Sequence, residues 1–218
     1  MKTTPMRTNE SAAGSTRLLH RLTAALLALV LAASAALPVF AADTAQTDTI
    51  YINSVSDLLA FADKCGFDQW SKGKTVILQE DLSLEDTEWA PVASFSGAFK
   101  GNGHTISDVS LVGAYSPAGF FGILEEGGSI QDLTIKGVVN PAGTQKTAGG
   151  LVGTNYGTII NCTFSGAVHS EEEAGGLVGR NETSGTIDHS TSRAMVSGAY
   201  STGGIVGYNL GVITGRTN

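Results

Sequence analysis

Few residues of this chain are of types that do chemistry, and their spacing limits what each could do. His104, in Gly101-Asn102-Gly103-His104, has the side chain of a general base. No partner of its own is visible in the sequence, so it is read as the filler of a tight turn. Cys162 stands next to Asn161, but nothing in the sequence places a His beside it to activate the thiol. It is read as a packing residue. Glu171-Glu172-Glu173 clusters carboxylates of the kind calcium prefers, yet three adjacent ones on one loop are expected to form a solvated tip. A polysaccharide lyase or hydrolase would need acidic residues and a Lys or Arg base on one sheet face. Lys136, Lys146, Arg180 and Arg193 are scattered and are expected to share no column with a carboxylate pair. His-Glu-x-x-His, Gly-x-Ser-x-Gly, a P-loop and the Gly-Gly-x-Gly-x-Asp calcium repeat are all absent. The sequence therefore nominates no catalytic, cofactor-binding or metal-binding residue and implies no cofactor. Asn161-Cys162-Thr163 and Asn181-Glu182-Thr183 match the glycosylation pattern, which carries little weight in a Thr-rich chain.

The stronger signal is a repeat. Gly149-Gly150-Leu151-Val152-Gly153-Thr154-Asn155 returns as Gly175-Gly176-Leu177-Val178-Gly179-Arg180-Asn181 and as Gly203-Gly204-Ile205-Val206-Gly207-Tyr208-Asn209. A looser copy precedes them at Gly119-Phe120-Phe121-Gly122. The last Gly of each copy falls at 122, 153, 179 and 207, steps of 31, 26 and 28 residues. Units of this length cannot bury their own apolar face and must stack. Strands cut by Gly turns pair with their counterparts one coil away, about 4.8 Å above or below. The expected fold is all-β: a right-handed parallel β-helix (β-solenoid) with a small N-terminal α/β cap.

Laid over one another, the coils predict columns. Ile106, Ile130, Ile159 and Ile187 align, followed by Asp108, Asp132, Asn161 and His189. Val109, Leu133, Cys162 and Ser190 come next, then Leu111, Ile135, Phe164 and Ser192. The Asx column belongs at a corner, where such side chains tolerate left-handed backbone. Asn155, Asn181 and Asn209 form a second column, interrupted by Leu124. Stacked Asn side chains can bond from coil to coil, as in other strand stacks. Either column could instead bind a ligand, but ladders explain the spacing without one. In/out alternation does not explain why Leu151 and Val152 are both apolar in every copy.

Ahead of the coils, residues 50–94 read as a capping unit. Ile50-Tyr51-Ile52 and Thr75-Val76-Ile77-Leu78 are predicted strands. Ser54 caps a predicted helix with Asp57 in its first turn, and Cys65-Gly66 ends it. Residues 42–49 are a linker, and 95–218 are coils that stop part-way through a turn, as a truncated product would. Residues 1–41 read as a signal peptide. Lys2, Arg7, Arg17 and Arg21 precede an apolar run from Leu22 to Leu37, with Val39-Phe40-Ala41 before the cleavage point. The run is short of the roughly 20 residues that span a bilayer, with an uncleaved anchor as the alternative. After cleavage, nine Lys and Arg face nineteen Asp and Glu, a net charge of −10. That excludes the basic patch that nucleic acid requires, and the mature form is expected to hold no membrane span.

The unit at 149–162 resembles the GLUG repeat of bacterial surface proteins. Trp89-Ala90-Pro91-Val92 with Phe99 to Ile106 is similar to the segment that commonly precedes it. The copy at 176–190 departs from the pattern, with Thr183-Ser184 inserted and Ser190 in place of Cys. The resemblance implies an exported, cell-surface or adhesin-like protein with no chemistry in the repeat, sometimes joined to a peptidase. Three functions follow: a non-catalytic surface module or spacer that meets a host or microbial glycan or surface protein; a carbohydrate-active lyase or hydrolase; or the front end of a larger secreted peptidase. An open last coil would be free to pair with further sequence or another chain.

Overall fold

The computed structural model describes residues 48–66, 69–143 and 146–215. The expected signal segment lies outside them, as does nearly all of the linker. The described chain is built from twenty short strands and one helix. All the strands pair in parallel, each with its counterpart in the coil before or after. Four sheets result, of seven, five, five and three strands; the coils from Thr147 onward pass through all four in turn, and the earlier ones supply strands to three.

The coil at 147–170 shows the plan. Thr147–Gly149 lies in the three-stranded sheet D, Val152–Asn155 in sheet C, Thr158–Ile160 in the seven-stranded sheet A and Thr163–Ser170 in sheet B. Each strand sends alternate residues inward. In sheet A the inward column runs Ile50, Val76, Phe99, Ile130, Ile159, Ile187, Ile213. Its members from Val76 to Ile187 are fully buried. In the preceding sheet C a column runs Phe95, Leu124, Asn155 and Asn181, all equally buried. The predicted stack of Ile130, Ile159 and Ile187 is therefore observed.

Ile106 does not belong to that stack. It pairs with Leu82 and Ile135 in sheet B, and Phe99 takes the expected place beside Ile130. Val109 and Leu111 move with it, pairing with Gly137 and Val139. The cause is the corner. Later coils turn from sheet A to sheet B in two residues, whereas this one spends Gly101 to His104 on the turn. Asn102 and Gly103 take positive φ there, of 53° and 82°. Asp108 also has positive φ (61°), but it marks a bulge inside a strand, not the corner. Thr105-Ile106-Ser107-Asp108 imitates Ser129-Ile130-Gln131-Asp132 in sequence while occupying another sheet.

The remaining Asx column behaves as expected. Asp132, Asn161 and His189 all turn the corner with positive φ, and Asn161 Nδ2 donates to Asp132 Oδ1 at 2.6 Å. The second column is a closed amide ladder: Asn155 Nδ2 donates to Asn181 Oδ1 at 2.7 Å, and Asn181 Nδ2 to Asn209 Oδ1 at 2.8 Å. Asn155 Oδ1 also accepts the Gly157 N–H, so these buried amides are partnered. Leu151 and Val152 are both buried because they straddle the corner between sheets D and C, where successive side chains both turn inward.

That corner explains the paired glycines. A Cβ on Gly149 would collide with the Val152 carbonyl, and the same collision recurs at Gly175 with Val178 and at Gly203 with Val206. A Cβ on Gly150 would collide with the Phe164 ring. The first glycine is thus imposed by the backbone in all three copies, whereas the second is imposed at Gly150 by the Phe164 ring, at Gly176 by Ser192 and the Gly204 carbonyl, and at Gly204 by no atom within 4 Å.

The helix Val55–Lys64 begins at Ser54, whose Oγ accepts the Asp57 N–H at 3.1 Å. It buries Leu58 and Phe61, and Phe61 meets Phe95 edge-on at 5.7 Å and Phe99 at 5.9 Å. The aromatic cluster continues through Phe121 and Phe120 to Trp89, which stacks on Phe120 at 4.7 Å. Residues 50–94 carry this helix and also supply early rungs to sheets A, B and C. No helix among the described residues is long and apolar enough to cross a membrane.

Candidate functional site

Side chains that point out of a β-solenoid are free of the fold's packing demands, so a site must be sought there. One gathering of polar groups lies at the first rungs of sheet B. Asp81, just before the strand Leu82–Ser83, accepts the Thr105 N–H at 2.9 Å and lies 3.1 Å from His104 Nδ1. His104 therefore has the acid partner that the sequence did not reveal, 23 residues away and one coil below. Asp108, turned outward by its bulge, accepts the hydroxyls of Ser83 at 2.6 Å and Ser107 at 2.7 Å.

Both carboxyls are held below the usual carboxylate range. For Asp81 the cause is first the Thr105 N–H, then His104; for Asp108 it is Ser83, then Ser107. The Lys136 ammonium acts on both. Lys136 opens an outward column that passes through Ser165 to Arg193, one residue per coil. The scattered cations of the sequence are thus partly gathered: Lys136 and Arg193 share a column, and Lys136 faces two carboxylates. An Asp–His pair beside a lysine can hold and move a proton. However, Asp81 is the one hydrogen-bond partner of the His104 ring among the described residues, so no nucleophile is aligned with it.

Arg180 departs further from expectation. Its Nη1 meets Glu173 Oε1 and its Nε meets Glu182 Oε1, both at 2.7 Å, and its guanidinium lies 4.6 Å from the Tyr208 ring centroid. Glu173 was expected on a solvated tip. It is buried instead, because it begins the strand Glu173–Gly175 and also accepts the Thr147 hydroxyl at 3.0 Å. Glu171 and Glu172 remain exposed. This cluster is closed on itself and acts as a clamp between coils. No group of three or more His, Cys, Asp or Glu side chains is arranged to hold a metal among the described residues.

Both cysteines are buried free thiols, pushed up to about 12 by burial. Cys162 Sγ donates to the Ile160 carbonyl at 3.3 Å, and the Cys162 N–H donates to Ser190 Oγ at 3.1 Å. Neither is a nucleophile in this state. The packing reading of Cys162 stands.

Sheet B also shows an outward apolar stripe. Val138, Ala167 and Met195 lie one above the next, and Met195 is 78% exposed.

Comparison with known proteins places these coils. The family model of the GLUG motif matches residues 144–168. Halomucin of Haloquadratum walsbyi is 35% identical over 144 residues, which cover 59% of this chain and 2% of that protein. The chain thus spans a small fraction of the curated relative it matches. The crystal structure of an immunoglobulin A1 protease candidate from Bacteroides ovatus superposes with a TM-score of 0.44 at 14% identity, over 78% of this chain and 77% of that one.

Proposed function

We propose that this GLUG-repeat β-solenoid is a non-catalytic surface module, exported by its N-terminal segment and held at or released from the cell surface. Its coils act as a stiff spacer that presents outward side chains and loops for adhesion. The observation that carries the reading is the division of labour across the sheets. Seven strands of sheet A stay in register, and the inward columns of the stack carry its burial. The outward columns are left to vary and display Val138 and Met195 in the open, and the bend between two strands displays Tyr200. The GLUG motif and the likeness to halomucin support a surface role. Partners of this module are a host or microbial glycan or a surface protein. Nucleic acid is not among them, and the mature form needs no membrane.

Fractionation of the native cell, followed by a glycan and cell-binding screen with the exported chain, tests the reading. Retention in the cytoplasm would overturn it, and so would display with no effect on attachment when the gene is deleted.

A second reading has one observation in its favour. Asp81, His104, Asp108 and Lys136 sit together on one side of sheet B, as a carbohydrate-active enzyme would need. Incubation with acidic polysaccharides should then yield unsaturated products, and Lys136→Ala should abolish them.

A further inference from the structure

At the N-terminal end of the stack the helix Val55–Lys64 lies beside the strand Thr49–Ile52. A groove of about 380 Å³ is lined there by Asp48, Tyr51, Asp57, Lys64 and Trp70, among others. That volume falls in the range of small-ligand sites, about 300–1,000 Å³. Tyr51 is 56% exposed on the outermost strand of sheet A, so its ring offers a platform that no neighbouring strand covers.

Trp70 is set in place by two ammonium groups, Lys64 Nζ at 5.6 Å and Lys74 Nζ at 5.2 Å from its ring centroid. Lys74 is in turn tied to Asp48 at 2.5 Å. Asp57 uses Oδ2 to accept the Asn53 N–H at 3.0 Å, which leaves its other oxygen available as an acceptor. Lys64 has no carboxylate within ion-pair distance among the described residues, so its N–H donors are available too.

The open Tyr51 ring, a carboxylate with one unused oxygen and an ammonium without a carboxylate partner thus meet in one groove, with Trp70 bracing the ammonium. Of the charged lining residues Asp48 is already paired with Lys74 outside the groove, which leaves Asp57 against Lys64, so neither an anion nor a cation is selected. A pyranose matches this lining: its C–H face packs on the Tyr51 ring, and its hydroxyls both donate to Asp57 and accept from Lys64. We propose that this groove binds a neutral pyranose unit of a glycan, which deepens the adhesin reading and rests on it.

The test is a titration of the full chain with methyl glucoside, methyl galactoside, N-acetylglucosamine and galacturonic acid, followed by amide chemical shifts. At least one neutral sugar should saturate in the millimolar range and shift resonances around Tyr51 and Lys64. Tyr51→Ala should weaken it about tenfold with an unchanged circular-dichroism spectrum, since the ring is outside the core. Lys64→Ala should weaken it as well. Saturation that both variants leave unchanged would place the sugar elsewhere and overturn the groove while the adhesin reading stood. Tighter binding of galacturonic acid would overturn the neutral preference. If no neutral sugar saturates, the groove fails, and the cell-attachment assay decides the adhesin reading separately.

Discussion

At the scale of single residues, position in the coil decides the consequence of a change more than residue type does. Asn181 is fully buried and bonds to Asn155, Asn209 and the Gly185 carbonyl. Asn181→Ala would strand the side-chain N–H of the buried Asn155, while Asn209 is exposed to water, an expected loss of about 1–3 kcal/mol by chemical denaturation. Adjacent glutamates should differ sharply. Glu172→Lys is at the surface and should change stability by less than about 0.5 kcal/mol. Glu173→Lys puts a second cation against Arg180 in a buried clamp, and about 3 kcal/mol or more should be lost.

Acid should act through the outward carboxylates. The Ser83 and Ser107 hydroxyls stabilise ionised Asp108, so its folded pKa lies below its unfolded one. Its contribution is complete above the ordinary carboxylate pKa, about 4, and fades as pH falls through the lower folded value. Asp108→Asn should therefore flatten the fall of Tm on acidification, relative to wild type.

At the scale of the element, each coil is held by a few contacts repeated from its neighbours. Phe164 fills the space that Gly150 leaves open, and Ile135 and Ser192 lie above and below it. Phe164→Ala should cost about 3–5 kcal/mol, and Phe164→Asp should abolish folding because the charge would have no partner. Gly149→Ala should also destabilise markedly, since the colliding atom is a backbone carbonyl that cannot rotate away. Both are read as shifts in denaturation midpoint. The sequence announced these elements well: the helix starts and stops at its signals, and glycine spacing marked the coils. It could not rank the two glycines of a pair, because what they touch lies in another strand.

At the scale of the whole described stack, burial runs from complete to partial. Ile159 and Ile187 are fully buried, while Ile213, in the same column, is 39% exposed. The strands Val206–Asn209 and Val212–Thr214 pair on one side only. Amide hydrogen exchange should be slowest in Thr158–Ile160 and its neighbours and fastest in these last strands. Uniform protection along the stack would contradict this gradient. A bound partner on the open edge should slow exchange there first.

Repeat length, the inward columns of the later coils, the Asx ladders of those coils and the helix cap were legible before any fold was known. Each of these depends on local backbone preference or on a period that repetition makes visible. Only the tertiary structure decided the register of the first coil, where a bulged Asp108 imitates the corner Asp132. It also decided which charges meet. Asp81 reaches His104, and Glu173 reaches Arg180, across coil steps and loop lengths that no spacing rule encodes. In a stack whose coils differ in length, contact between coils is set by where each turn is spent, and that is a property of the wound chain.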